Sequence, residues 1–335
     1  MTRGRTGGIP AAPSGSGETA MTAIRQTAVI GAGTMGHALA LVFARHGLPT
    51  FLVDLDEAVL ATARRRIAAA LETLAAEGML EAGAIPAVIG RIHTTPRLEE
   101  ACGAADFITE AVVEDPGVKR GLFAALDRIA PPHAILASNT SHLDLFSFVA
   151  TGRPEKVLIT HWFSPPHLIP LVEVVGGPRT SAETIETVRA LLAALGKKPL
   201  VLRRFLPGFI ANRLQAALTQ EALFLLENGY ATAEELDEAV KQSFALRTPF
   251  LGVIQRLDFA GLDLQQAILK NRRYRPHPPI ERSEAIEERV ARGRLGVKTG
   301  AGFYDYGARS PEEVFRERDR RLIRLLRLLE ETGPL

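Results

Sequence analysis

One cysteine in 335 residues, Cys102, excludes a disulfide within the chain and suits a reducing compartment, so a cytoplasmic setting is expected. Neither sign of charge dominates. Forty Lys and Arg against 38 Asp and Glu leave a net +2, which gives no reason to invoke nucleic acid. Long hydrophobic runs are missing: none approaches the roughly 20 residues that span a bilayer, so no membrane partner is expected. No His, Cys, Asp or Glu cluster has metal-ligand spacing, and no metal is expected. The first residues are rich in Gly, Pro, Ser and Thr, lack an apolar signal core, and read as a disordered leader over 1–22. What remains is 46% hydrophobic and 23% charged, enough to bury a large core split into two domains.

The most informative stretch is Thr27-Ala-Val-Ile-Gly31-Ala-Gly33-Thr34-Met35-Gly36, an apolar run feeding a glycine-spaced turn that opens a helix. Gly31 allows the tight turn, Gly33 lets the backbone approach a pyrophosphate, and Gly36 lets the helix pack closely. Thr34 and Met35 belong to the same cofactor contact. A diphosphate would sit on the unpaired N–H groups of the helix start. A second apolar run, Thr50-Phe-Leu-Val-Asp54, ends in a carboxylate placed for the ribose hydroxyls, which repels a 2′-phosphate and favours NAD. The competing reading is the same fold without a nucleotide.

Apolar runs then alternate with helical segments. Ala58 to Gly78 reads as a helix with Arg64, Arg65 and Arg66 at its middle, either a solvated face or a phosphate contact. Ala105 to Val113 reads as a buried strand, followed by Glu114 and a helix from about Val118 to Ile129. Ala134 to Ala137 is a further strand, ending in Ser138-Asn139-Thr140-Ser141. Strands separated by helices predict a parallel sheet with helices on both faces. Gly31, Asp54, Glu114 and Ser138 to Ser141 fall at carboxyl ends of strands, where such sheets gather ligands.

Further on, Val157 to His161 and Leu171 to Val175 flank a Pro165-Pro166 bend, as a reversing pair would. Glu173 amid Leu171, Val172, Val174 and Val175 is expensive to bury unless paired, and His161 is the partner across the pair. A carboxylate on one imidazole nitrogen fixes the tautomer and raises the basicity of the other, as removal of a proton from an alcohol requires. The alternative is a structural His–Glu bond or a Glu facing water. His167 has no such partner in sequence and reads as a loop residue.

Beyond Gly177 the chain becomes helical, with Pro199 to Arg203 as the sheet's last strand and the domain boundary near Phe205. Asn212, in an apolar early helical turn, is either an interhelical hydrogen bond or a donor and acceptor facing a substrate. Glu313 to Glu330, with leucines among arginines, either caps the helical domain or joins a subunit interface. The fold expected is an α/β Rossmann-type NAD-binding domain over 23–205 followed by an all-α domain over 206–335.

From about Ala23 to Tyr306 the chain resembles the L-3-hydroxyacyl-CoA dehydrogenase family. The resemblance rests on the glycine turn at 31–36, Glu-Ala-Val-Val-Glu at 110–114, Ser-Asn-Thr-Ser at 138–141 and His161. It continues through Leu-Val-Glu-Val at 171–174, Pro-Gly-Phe-Ile-Ala-Asn-Arg-Leu at 207–214 and Gly-Val-Lys-Thr-Gly-Ala-Gly-Phe-Tyr-Asp at 296–305. It implies NAD-dependent oxidation of an L-3-hydroxyacyl-CoA to the 3-ketoacyl-CoA, and the reverse, by a homodimer, the all-α domain serving substrate binding and dimerisation. It further implies His161 as base, Glu173 as its orienting partner, and Ser141 and Asn212 holding the substrate's oxygens. Glu114, Lys119 and Asn139 complete the cofactor site. Ser164 stands where the family usually has Asn, and Ala70 and Glu77 fall where it offers Ser and Lys to CoA. Pro165-Pro166, Asn212 to Gln215 and the basic C-terminal helix are similar to the lambda-crystallin-like L-gulonate 3-dehydrogenases, which oxidise a free hydroxy acid. A free acid of the L-gulonate or carnitine kind is therefore the alternative substrate, and a non-catalytic NAD-binding structural protein a third reading.

Overall fold

A computed structural model describes residues 24–333; the leader expected over 1–22 lies outside the described residues. The chain divides into two compact units, one running to Phe209 and the other starting at Ile210.

The first unit is an eight-stranded sheet in the order β3-β2-β1-β4-β5-β6-β7-β8. The strands are β1 (Thr27–Ile30), β2 (Thr50–Val53), β3 (Ile92–Thr95) and β4 (Phe107–Glu110), then β5 (Ile135–Ser138), β6 (Val157–Trp162), β7 (Leu171–Gly176) and β8 (Lys198–Val201). All neighbours pair parallel except β6 and β7, which run antiparallel. Every residue of β1, β4, β5 and β6 is buried, the signature of strands covered on both faces. Helix α1 (Gly36–Arg45) connects β1 to β2, and α2 (Glu57–Ala76) follows β2. Helix α3 (Pro116–Ile129) connects β4 to β5, and α4 (Ala182–Ala194) connects β7 to β8.

Because β1 leads to β2 and β3 on one side while β4 and β5 follow on its other side, the order in which strands are added reverses between β1 and β4. A ligand crevice opens outside the carboxyl ends of strands at such a point. The strand expected over Ala105 to Val113 is paired only over Phe107–Glu110. Past Glu110 the chain turns away, with the Ala111 amide donating to the Ile30 carbonyl at 2.7 Å and the Val112 amide to the Glu110 carboxylate at 2.8 Å. Cys102 is buried, and burial pushes its thiol up to about 12, so it is chemically quiet.

In the second unit the longest helices are α5 (Ala211–Glu227) and α6 (Pro311–Thr332), with shorter helices between them. Helix α6 starts on a capping box, Ser310 and Glu313 each bonding the other's backbone N–H. The arginine-studded segment read from sequence as Glu313 to Glu330 is this helix.

Candidate active site

The glycine turn is built as tightly as its spacing demands. Gly31 sits at φ +96°, open to glycine at little cost, and a Cβ there would come within 2.5 Å of the Ala111 carbonyl oxygen. A Cβ on Gly36 would overlap the Gly31 carbonyl oxygen, whereas one on Gly33 would meet nothing within 4 Å. Two glycines thus close the turn and the third leaves an open approach. Helix α1 begins at N-cap Met35 with no side-chain cap, while α2, α3 and α4 are capped by Asp56, Asp115 and Ser181. Its first amides are left for an anion from outside the helix. Asp54 closes the end of β2 over this turn, accepting from the Ala32 amide at 2.9 Å. The turn, the uncapped helix and the carboxylate fit a dinucleotide.

Beside the turn lies a buried polar network. Glu110, fully buried at the end of β4, accepts from Lys119 Nζ at 2.6 Å and from Ser138 Oγ at 2.6 Å. The two strand ends are register partners, Glu110 opposite Ser138. Lys119, 1% exposed, also reaches Glu114 at 3.1 Å. Glu114 accepts in turn from Thr140 Oγ1 at 2.5 Å and the Ser141 amide at 2.8 Å. Partial burial disfavours the charge on Glu114, but the bonds from Thr140, Ser141 and Lys119 outweigh it and hold the carboxyl below the usual range. Glu114 and Lys119, expected at the nicotinamide end of the cofactor, and Ser141, expected at the substrate's oxygen, share this network. Glu110 and Ser138 are the members the sequence reading left unassigned; a Glu inside an apolar strand was the available signal, the same that singled out Glu173.

His161 and Glu173 are direct partners across β6 and β7. His161 Nδ1 lies 2.8 Å from Glu173 Oε2, with the side chains 4% and 0% exposed. With the Nδ1 proton donated to the carboxylate, Nε2 carries the lone pair, the tautomer a general base needs. Two rings flank the imidazole, Phe163 with centroids 4.5 Å apart and Phe209 at 5.3 Å. Phe209 is fully buried in a left-handed backbone conformation, φ 53°, uncommon outside glycine. Neither ring was expected from sequence. Asn139, expected in the cofactor site, accepts from the Trp162 amide at 2.9 Å and so ties the end of β5 to the residue after His161.

Asn212 lies in the first turn of α5, in the helical unit. Ser164 is exposed in the bend after β6, and Ala70 and Glu77 are half-buried along α2 and at its C-cap. In the basic triplet, Arg64 donates to Thr94 and Arg65 to Thr62 at 3.0 Å.

A dinucleotide turn and a buried imidazole–carboxylate pair on one mostly parallel sheet define a nicotinamide-dependent dehydrogenase. Residues 26–205 match the family model "3-hydroxyacyl-CoA dehydrogenase, NAD binding domain", and 208–306 match its C-terminal domain. The chain belongs to this family of NAD-dependent oxidoreductases acting on CH–OH groups. It is 31% identical to 5-formyl-3-hydroxy-2-methylpyridine 4-carboxylate 5-dehydrogenase of Mesorhizobium japonicum, over 92% of this chain and 99% of that protein. To L-carnitine dehydrogenase of Pseudomonas aeruginosa it is 34% identical, over 93% and 96%. To a probable 3-hydroxybutyryl-CoA dehydrogenase of Bacillus subtilis it is 36% identical, over 84% and 98%. A crystal structure of a 5-formyl-3-hydroxy-2-methylpyridine 4-carboxylic acid 5-dehydrogenase superposes with TM-score 0.82 at 31% identity, covering 92% of this chain and 99% of that one.

Proposed function

We propose that this dehydrogenase oxidises the hydroxyl of a small free hydroxy acid. The observation that carries the reading is the pair Ala70 and Glu77 on α2, where the family resemblance places a Ser and a Lys for CoA. A methyl group and a carboxylate there offer a polyanionic carrier one contact fewer and one repulsion more. Support comes from the reach of two relatives: the pyridine-carboxylate dehydrogenase and the Pseudomonas aeruginosa L-carnitine dehydrogenase match 92% and 93% of the chain, the Bacillus subtilis hydroxybutyryl-CoA relative 84%. The acyl-CoA reading keeps one observation in its favour, the Lys298-Thr-Gly-Ala-Gly-Phe-Tyr304 tail shared with the CoA group. NADH-linked reduction of acetoacetyl-CoA, run beside acetoacetate at matched concentration, separates the two. Turnover with the free acid alone is the expected result; turnover with the thioester alone would transfer the chain to the acyl-CoA enzymes.

In the mechanism, Gly31, Gly33, Thr34, Met35 and Gly36 would hold the pyrophosphate, Asp54 the adenosine ribose, and Glu114, Lys119 and Asn139 the nicotinamide end. Bound NAD supplies the hydride acceptor. His161 Nε2 takes the hydroxyl proton while Glu173, 2.8 Å from Nδ1, stabilises the imidazolium that forms. Ser141 and Asn212 orient the oxygens, an effect of positioning. Replacing Asp54 by Ala should weaken NAD binding about tenfold, roughly one lost charge-assisted contact. It should also erase most of the preference over NADP. Titration of both cofactors against parent and variant reads this, and equal preference in the two proteins would remove Asp54 from the ribose site.

The assembly that fits is a homodimer built through the helical unit. Leu246, Phe259, Leu262 and Leu269 are each more than 60% exposed in the single chain. Helical apolar residues left at the surface in such number call for a covering partner.

A further inference from the structure

Lys197, just before β8, is buried at 9% exposure, and no carboxylate pairs with it among the described residues. Its ammonium instead donates to two backbone oxygens of the β6–β7 connection, Pro166 O at 2.6 Å and Ile169 O at 3.1 Å. It also lies 5.8 Å from the Trp162 ring centre, beside the residue that follows His161. The charged and titratable groups that face it are Arg45 and His46 from the end of α1: the guanidinium is of the wrong sign to favour its charge, and the imidazole, pushed down by burial, offers no negative charge. Burial pushes the amine down to about 8. A fold that only needed to fill this space would be served better by an apolar side chain. What the ammonium does here is fix two carbonyls of one short turn.

That turn has a specific place. It joins the strand of His161 to the strand of Glu173, and it carries Ser164 and His167. The amides of Leu168 and Ile169 both donate to Pro165 O at 3.0 Å, and the Lys198 amide holds Pro170 O at 2.8 Å. Backbone bonds therefore secure the turn at Pro165 and Pro170, and Lys197 secures it between them. His167, in the clamped segment, lies near enough to His37 on the first turn of α1 for the two to interact electrostatically.

We infer that Lys197 is a positioning residue: through Pro166 and Ile169 it sets the β6–β7 turn that presents the substrate to His161. This rests on the reading of His161 as the base. Lys197→Met should raise KM for the hydroxy substrate about tenfold or more, as a shift of part of an ångström does, with NAD affinity within about twofold of the parent. Lys197→Arg keeps a donor that does not titrate. In the parent, KM should climb as pH rises through about 8 and the amine loses its charge; in Lys197→Arg that climb should vanish or move up by a full unit.

The experiment is a pH series of KM and kcat for parent, Lys197→Met and Lys197→Arg, with NADH binding measured in parallel by fluorescence. Parent-like KM in Lys197→Met, or an unchanged alkaline climb in Lys197→Arg, overturns the inference. Should Lys197→Met fail to fold, the pH profile of Lys197→Arg decides alone. Parent turnover in His161→Gln would instead overturn the reading of the base, so the two failures are distinguishable.

Discussion

His161→Gln is expected to lower turnover by about 10²–10⁴-fold, the range a positioned general base supplies, while NAD affinity stays within about twofold. The two halves of this result have separate structural grounds. The proposed proton acceptor is a single atom, Nε2, which carries the lone pair when Nδ1 donates to the fully buried carboxylate of Glu173. Gln matches the size of imidazole closely enough to leave the pocket filled, but its amide cannot take a proton near neutral pH. The glycine turn is held by its own bonds, the Ala32 amide to Asp54 at 2.9 Å and the Ala111 amide to Ile30 at 2.7 Å, so the cofactor's anchor should not register the change. Stopped-flow NADH formation with separate NADH titration tests both halves. Turnover equal to the parent's would remove His161 from the chemistry.

Lys119→Met carries the largest expected effect on stability. Lys119 is the cation between two carboxylates, and Glu110 is 0% exposed. Removing the ammonium strands a charge in the sheet's interior, a loss of about 3–5 kcal/mol. For a unit of this size that corresponds to a fall of roughly 10 °C in the midpoint of the sheet unit's transition. Adding Glu110→Gln should recover a large part of the loss, because the neutral amide still accepts from Ser138 and no longer buries a charge. Calorimetry on parent, single and double variants measures this. A single variant that melts with the parent, or a double that melts lower than the single, would show that charge compensation is not what the network supplies.

The parts of the fold legible in the sequence were those whose cause is local. Gly36 answers to the Gly31 carbonyl within the same turn, and Asp54 ends the next apolar run. Glu173 declared itself because a carboxylate among four apolar neighbours needs a partner, and the antiparallel register supplied His161 opposite it. Strand β3 was missed because Ile-His-Thr-Thr is a polar edge segment with only Thr95 buried, so it carries no apolar alternation. Glu110 offered the same signal as Glu173, but its partners Lys119 and Ser138 come from a helix and a neighbouring strand, which spacing does not reveal. The ring of Phe209 reaches His161 only because one residue takes a left-handed backbone far along the chain. No periodicity encodes that.

Phe209 bears on how this enzyme can be re-engineered. Exchanging helical halves among relatives is an obvious route to new substrate ranges, and motif reading would put the seam near Phe205. A graft joined there would import a foreign residue against the imidazole, because the ring of Phe209 is part of the sheet unit's core although it sits in the motif that opens the helical half. Cut after Phe209, the donor half arrives without changing the ring packed against His161.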